Sequence, residues 1–173
     1  MNIFFLDNDP RVAAEYHNNK HVVKMILETA QLLSTAHRVL DGRLIGKKYV
    51  LDDDRETTLY KATHINHPSA IWCRSGIDQY RWTFDLFHHL LDEYTFRYNK
   101  EHASSRLIKP LWNAPNNINF EAPWTQATPA MPDECKVAGD SVESYRKYYI
   151  LHKQRMAQWK KRAVPLWYAA TGA

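Results

Sequence analysis

Residues 18–35, NNKHVVKMILETAQLLST, decide the fold of this chain. When they are placed on a helix at about 100° per residue, apolar side chains cover most of the circumference and leave one polar stripe about 100° wide. A helix that is apolar on most of its circumference is usually buried, so we predict that the stripe lines a cleft. The stripe consists of Lys20, His21, Lys24, Glu28, Gln31 and Thr35.

The polar stripe has a second interpretation, a solvated helix face with an ion pair between Lys24 and Glu28 at i,i+4 spacing. The mixture of bases, acid and imidazole favours a functional site, because an unpaired charge is costly to bury. We therefore expect Lys20, His21, Lys24 and Glu28 to line one cleft, with the N-terminal segment close by.

Sequence signals on both sides of this stretch predict further elements. The Asp-Pro pair at residues 9–10 is a good helix start, the Asn pair at 18–19 interrupts that helix, and the Asp-Gly pair at 41–42 is a stop signal. The less regular segments are predicted as a short strand or extended arm at 2–6, a loop at 43–56, and a short helix or turn at 56–63.

The middle of the chain predicts a second long helix. A short helix is expected at 69–74, after the break that Pro68 imposes on the residue before it. Ser75 and Asp78 resemble a capping box, and helical periodicity then runs from residue 77 to about residue 100.

The last third of the chain combines a proline-rich segment with a basic helix. Residues 103–141 contain five prolines and are predicted as a long ordered loop, because their large apolar side chains need something to pack on. These side chains are Trp112, Phe120, Trp124 and Met131. A helix capped by Asp140 or Ser141 should follow to about residue 163, with an aromatic tail at 164–173. The prediction is therefore an all-α fold, a single compact domain over 1–173 with three main helices.

The cysteine content and the absence of long apolar runs argue against several classes of protein. The chain has 173 residues and two cysteines, Cys73 and Cys135, which are too few for a disulfide framework and have no cysteine neighbour at metal-ligand spacing. We expect both to be buried, and we predict no metal centre and no cofactor. No apolar run reaches the length of about 18 residues that a membrane helix needs, and the acidic start does not resemble a signal peptide. A cytoplasmic, monomeric protein is expected.

Charge is concentrated near the C-terminus. The net charge is +4 and the pI about 9.0, yet residues 51–56 are acidic. Bases interleaved with aromatic residues suit a surface that neutralises phosphates and stacks bases; alternatively, the aromatics pack inward and the bases are merely solvated. The predicted DNA contacts in this region are Arg146, Lys147, Lys153, Arg155, Lys160 and Lys161, together with the aromatic pair Trp167 and Tyr168.

Three stretches resemble the phage-type pyrimidine-dimer DNA glycosylases. These are NKHVVKMILE in the striped helix, NHPSAIWCRSGIDQYRWTFDLFHHLLDEYTFRYNK in the middle, and VPLWYAATGA at the end. They occur in the family's order and touch about half of the chain. His21 matches the family histidine, and Glu28 matches its catalytic glutamate. The phrases KHVVKM and MPDECK are also similar to small uncharacterised proteins of tailed phages, which implies the cytoplasm of an infected bacterial cell.

The resemblance implies a specific chemistry. The family uses its N-terminal α-amine as a nucleophile on the sugar of a damaged nucleotide in double-stranded DNA, forms an imine, and cleaves the strand by β-elimination with help from a buried glutamate. Here Asn2 stands where the family exposes a small threonine, so the amine would be that of Met1. Leu27 and Gln31 replace the arginines that flank the family glutamate, while Lys20 and Lys24 restore positive charge. The implied catalytic residues are Glu28, Met1 and His21.

Other histidines are candidates for binding zinc or a phosphate group. His17 and His21 have an i,i+4 spacing that can hold zinc, but the Asn pair between them and the missing glutamate argue against it. His64 and His67 precede a helix start, where backbone amides could hold a phosphate; a capping or core role is the alternative. His88 and His89 are expected to be structural. Asp133, Glu134 and Lys136 are expected to form a lid or a turn.

Two classes of function follow from the sequence. The first is a DNA glycosylase and AP lyase that repairs damaged or modified bases through an amine and Glu28. The second is a non-catalytic phage module that binds DNA or a host protein through the same basic face.

Overall fold

The computed structural model describes residues 2–172, and the all-α prediction is confirmed, with one small hairpin added. The described helices are α1 Pro10–Tyr16, α2 Asn19–Asp41, α3 Arg55–Thr58, α4 Pro68–Cys73, α5 Ile77–Tyr98, α6 Ile108–Trp112, α7 Ser141–His152 and α8 Leu166–Ala169. Short 3-10 turns occupy Ala103–Leu107, Asp133–Cys135 and Gln154–Met156, and the strands are β1 Arg43–Ile45 and β2 Lys48–Val50. The three longest helices are α2, α5 and α7, as predicted.

Helices α2 and α5 form the centre of the molecule. The Asn18 side chain caps α2 by accepting a hydrogen bond from the His21 amide, and α5 ends at Asn99, whose φ of 53° is left-handed. Both α1 and α2 pack on α5. The apolar face of α2 is buried in this core through residues such as Val22, Ile26 and Leu33.

The N-terminal segment lies inside the core. Residues Ile3, Phe4, Phe5 and Leu6 are all buried, and the segment pairs with no strand, so the extended-arm interpretation is the correct one. Phe5 stacks on Trp82 with ring centroids 4.4 Å apart. Because the arm fills the space beside α5, residue 2 emerges next to the middle of α2.

Two arginines are wholly buried, and every nitrogen of both guanidinium groups donates at least one hydrogen bond. Arg38 bonds the carbonyl oxygens of Tyr49, Leu59 and Tyr60, and it also bonds both the carboxylate and the backbone of Glu56. Arg97 bonds the Glu93 carboxylate and the carbonyl oxygens of Glu15 and His17. Arg38 therefore connects α2 to the hairpin and α3, and Arg97 connects α5 to the end of α1 and the break before α2.

Several predictions from sequence were wrong. Residues 43–56 contain the hairpin rather than only a loop, and α5 is capped at Gly76 with no side-chain bond, because the Ser75 hydroxyl donates to the Trp72 carbonyl instead. The proline-rich segment is partly helical at its start. Trp112 is 71% exposed and Phe120 63% exposed, so neither is packed as expected.

The C-terminal region also differs from the expectation. Asp140 caps α7 by accepting from the Glu143 amide, as one of the two predicted caps. The helix nevertheless ends at His152, and the chain continues through the Gln154–Met156 turn. The tail is not entirely irregular, since it forms α8 after Pro165. Across residues 2–172, none of the helices has the length and apolar character needed to cross a membrane.

Candidate functional site

Glu28 lies where the N-terminal segment meets α2. The backbone nitrogen of Asn2 donates to Glu28 Oε2 at 3.1 Å, and Lys24 Nζ lies 3.6 Å from Glu28 Oε1. The Glu28 side chain is 12% exposed, whereas Lys24 is 67% exposed. The carboxylate is thus shielded by its surroundings, and it lies beside the N-terminal segment.

The Asn2 side chain holds this corner together. Its Oδ1 lies 2.9 Å from the Tyr145 hydroxyl and 3.2 Å from the Ser69 hydroxyl, both of which donate to it. Its Nδ2 donates to the Ala130 carbonyl at 2.9 Å. One amide therefore joins α4, α7 and the proline-rich segment beside Glu28.

Sequence reasoning missed Asn2, Ser69 and Tyr145 as parts of this site. Their hydrogen bonds connect residues 67 and 143 positions apart along the chain. No local spacing carries such a signal, because only the folded arm places Asn2 between these elements.

His67 is an imidazole whose pKa responds to the Glu28 carboxylate. Its Nδ1 accepts from the Ser69 amide at 3.0 Å and so caps α4. Burial lowers the pKa of His67 below its ordinary value, and the Glu28 carboxylate acts in the opposite direction. Glu28 and His67 are therefore within electrostatic reach of each other, and the ring is mainly neutral near pH 7.

His64 adds an exposed imidazole to the same neighbourhood. It has a left-handed φ of 47°, a conformation uncommon for a non-glycine residue, and its Nδ1 lies 2.8 Å from the Thr63 hydroxyl. The Thr63 backbone contacts Thr35 on α2. His64 lines a cavity of about 610 Å³ that also includes Lys47 and Lys48 of the hairpin.

A second basic cavity lies at the N-terminal end of α2. It has a volume of about 370 Å³ and is lined by Lys20, Val23, Lys24 and Tyr98. Lys160 Nζ lies 5.1 Å from the centre of the Tyr98 ring, on the same surface. Glu28 lies one helical turn from Lys24, which lines this cavity, and two turns from Thr35, which contacts Thr63 of the other cavity.

His21 does not share this open surface. It is 4% exposed, its Nδ1 lies 2.7 Å from the Tyr149 hydroxyl, and its ring centroid is 4.1 Å from that of Phe4. Burial, followed by the charges of His17, Lys153 and Lys24, lowers the pKa of His21 to about 2. The predicted cleft of four residues is thus wrong at His21, which is a neutral core residue.

The polar stripe of α2 is displaced from its predicted position. Val23 is 40% exposed and Leu27 41% exposed, although both were assigned to the apolar face. Thr35 is buried. The exposed face instead combines Lys20 and Lys24 with these two apolar side chains, because the N-terminal arm and α7 cover the side on which His21 lies.

The predicted C-terminal DNA contacts fall into two groups. Arg146 donates to the Leu6 carbonyl and the Asp7 carboxylate, so it is structural, and Tyr168 is buried at 3% exposure, which prevents it from stacking a base. Trp167 packs on Tyr16 and Tyr149. Among the remaining predicted bases, Lys147 and Lys153 are half-buried, and the exposed ones are Arg155, Lys160 and Lys161.

The other histidines and the cysteines have clear positions. His17 Nδ1 lies 2.6 Å from the Ala13 carbonyl, while His21 Nδ1 points to Tyr149, so the pair is committed to different partners. Cys73 and Cys135 are both buried, as expected. Asp133–Cys135 forms a 3-10 turn, which is the turn interpretation of that polar group.

No protein-family model matches the chain, and comparison with curated proteins and with solved structures likewise returns no match. The glycosylase resemblance therefore stays a prediction that depends on the residues quoted for it.

Proposed function

We propose that the protein is a DNA glycosylase and AP lyase that acts through an amine beside Glu28. The observation that carries this proposal is the hydrogen bond of 3.1 Å from the Asn2 backbone nitrogen to Glu28 Oε2. It brings the start of the chain to a shielded carboxylate, which is the arrangement that an N-terminal amine nucleophile with a glutamate partner requires.

The position of the amine follows from covalent geometry. Met1 lies outside the described residues; its Cα and carbonyl carbon are the two atoms that connect its α-amine to the Asn2 nitrogen. If Met1 were removed, the amine would be the Asn2 nitrogen itself. Reference pKa values are about 7.7–8.0 for α-amines and about 10.4 for lysine, so an α-amine is the better nucleophile near neutral pH.

The surrounding groups suit the steps of the reaction. The amine attacks the sugar C1′ as the base leaves, and the resulting imine acidifies the C2′ proton. A carboxylate can stabilise the cationic sugar and accept that proton, after which the C3′–O bond breaks. Glu28 is placed for both roles, because His67 Nδ1 already accepts from the Ser69 amide and the neutral ring therefore carries its proton on Nε2.

The flanking surface suits a nucleic-acid strand. Lys20 and Lys24 lie on α2 near Glu28, and Lys47, Lys48 and His64 line a separate cavity, which also includes Lys61 and Glu56. Phosphates on either side of a target nucleotide could therefore be neutralised while its sugar reaches Glu28. A duplex nucleotide must first be unstacked, and this costs least at a damaged or mismatched site.

The test is borohydride trapping on a DNA duplex with a single abasic site, and in parallel on UV-irradiated DNA. An imine is reduced to a stable protein–DNA adduct, and digestion with mass spectrometry identifies the modified amine as the N-terminus or a lysine. Glu28→Gln keeps the size of the side chain and should abolish strand cleavage. Glu121→Gln, an identical change on the exposed proline-rich segment, should cleave like the unmodified protein.

The outcomes separate two functions. An adduct that maps to the N-terminal residue supports the proposal, whereas undiminished cleavage by Glu28→Gln would overturn it. Salt-sensitive DNA binding with no adduct would instead favour the non-catalytic DNA-binding module.

A further inference from the structure

A carboxylate, a thiol and an imidazole, which are three potential metal ligands, lie close together at the C-terminal end of α7. Glu134 Oε1 lies 2.9 Å from His152 Nε2, and Cys135 Sγ completes a group whose ligand atoms are all within 4.8 Å of one another. Cys135 is fully buried, while the His152 side chain is 37% exposed and that of Glu134 58% exposed. The group therefore has a buried sulfur at its base and an open side toward solvent.

The fold positions these three side chains before any ligand is present. The Cys135 and Lys136 amides donate to the Pro132 and Asp133 carbonyls, which closes the 3-10 turn. The Val137 amide then donates to the Ser144 hydroxyl at 2.8 Å and holds the turn against α7. His152, at the end of α7, comes from 18 residues further along the chain than Glu134.

We propose that Glu134, Cys135 and His152 bind a zinc ion, with a water molecule in the fourth position. Zinc prefers sulfur, imidazole and carboxylate ligands at about 2.0–2.3 Å in tetrahedral geometry, which separates the ligand atoms by about 3.3–3.7 Å. The observed separations need only small side-chain movements to reach that range. Binding releases the Cys135 thiol proton to solvent. The His152 Nε2 proton, which the ring donates to Glu134, is exchanged through solvent to Nδ1, and zinc stays divalent throughout.

A nucleophilic role for Cys135 fits the same group less well. Burial and the charge of Glu134 raise the pKa of the Cys135 thiol, whereas reactive cysteines are partly exposed and have a lowered pKa. The His152 nitrogen in the group is already bonded to Glu134 rather than aimed at the sulfur alone. A metal cation reverses this situation, because its own charge favours the thiolate.

A second cluster provides an internal comparison. Among residues 2–172, His88, His89 and Asp92 form the other group of three potential ligands. All three lie on one face of α5, none is buried, and no sulfur is present. The Cys135 group differs in offering a thiolate, and its spectroscopic signature distinguishes the two clusters.

The experiment is a titration of the purified full chain with Co²⁺, followed by displacement with Zn²⁺. Cobalt at the proposed site gives a thiolate-to-metal charge-transfer band and saturates at one equivalent, and zinc then removes the band. His152→Gln should weaken binding by at least the roughly 10-fold to 100-fold that losing a partner of a metal ligand causes. Cys135→Ser should remove the charge-transfer band.

The controls keep the proposal falsifiable. Cys73→Ser removes the other buried cysteine and should leave the band unchanged, and His89→Gln should do the same. Since His152 is partly exposed, His152→Gln tests the site even if Cys135→Ser fails to fold. The proposal is overturned if no thiolate band forms, or if the band persists with unchanged affinity in the His152→Gln protein.

Discussion

The charged side chains at the two ends of α2 differ in burial and in hydrogen bonding. At the C-terminal end, Arg38 is fully buried, and each nitrogen of its guanidinium donates to Glu56 or to a carbonyl oxygen. At the N-terminal end, Lys20 is exposed and has no ion-pair partner within residues 2–172, while Lys24 reaches Glu28 only at 3.6 Å. Helix α2 therefore carries a buried guanidinium, Arg38, whose hydrogen bonds are all made within the protein. It also carries two exposed ammonium groups, Lys20 and Lys24, that can donate further hydrogen bonds.

This contrast indicates where function should be sought. A buried charge with all its hydrogen bonds made contributes to the native structure, and breaking its network is costly. Charges that remain solvated beside a shielded carboxylate contribute little to stability. Under the proposed function, we expect the N-terminal half of α2 to contact a ligand and the C-terminal half to be structural, a division that variants at the two ends can test.

Arg38→Met should cause the largest loss of stability. The change leaves the Leu59 and Tyr60 carbonyls without their donor and separates Glu56 from its buried partner, which should cost about 3–5 kcal/mol of unfolding free energy. Urea denaturation measures the loss. Arg43→Met breaks an exposed pair with Asp52 and should leave the denaturation midpoint unchanged; equal effects of the two variants would refute the division.

Acid should destabilise the protein through its buried histidines. The pKa of His37 is lowered to about 4, mainly by burial and then by Arg55, and that of His21 to about 2. The unfolded chain binds these protons near its usual pKa of about 6.5, so stability is complete above pH 6.5 and falls as the pH decreases toward 4. The expected loss is about 2 kcal/mol per histidine at pH 5.

The pH effect can be checked by denaturation midpoints between pH 7.5 and pH 5. His88→Gln removes a histidine that is 44% exposed and should not alter the pH profile. A midpoint independent of pH over this range would show that the histidines are not held neutral by the fold.

Glu28→Gln should have a small effect on stability. The amide oxygen can still accept from the Asn2 nitrogen, and the Lys24 ammonium is well solvated, so the expected cost is about 1 kcal/mol or less. Calorimetric melting of the purified variant measures it. A loss of stability similar to that of Arg38→Met would show that Glu28 belongs to a structural network. The structural part of α2 would then include Glu28.

Lys20→Ser should have the smallest effect on stability and a clear effect on DNA binding. The side chain is exposed, so the change in unfolding free energy should stay within about 0.5 kcal/mol. If Lys20 contacts a phosphate, the slope of log affinity against log salt should decrease by about 0.9. Lys109→Ser, on exposed α6, is the matched control; identical slopes for both variants and the unmodified chain would exclude Lys20 from the interface.

Much of the fold was predictable because its signals are local. The cap at Asn18, the helix start at Pro10 and the periodicity of α5 each depend on residues within a few positions of one another. The stripe on α2 predicted only that Glu28 lies near the N-terminal segment, where it accepts from the Asn2 nitrogen. The hairpin was missed because its strands have only three residues each, too few to show alternation.

The remaining parts of the site depend on contacts that no short window contains. Asn2 meets Tyr145 across 143 residues, and Cys135 meets His152 only because the segment after Pro132 packs back on α7. His21 was misassigned because it falls at the edge of the stripe, where the extended N-terminal arm covers it. Its burial was decided by tertiary packing that helical periodicity cannot represent.

The Arg38 network also has a consequence for hydrogen exchange. The segment from β1 to Tyr60 buries few apolar side chains, chiefly Leu51 and Leu59, and it depends on one guanidinium for much of its attachment to α2. Segments with few buried apolar contacts open locally at a lower free energy than the core. Amides between Gly42 and Lys61 should therefore exchange with solvent as one cooperative unit, well before those of α2 and α5.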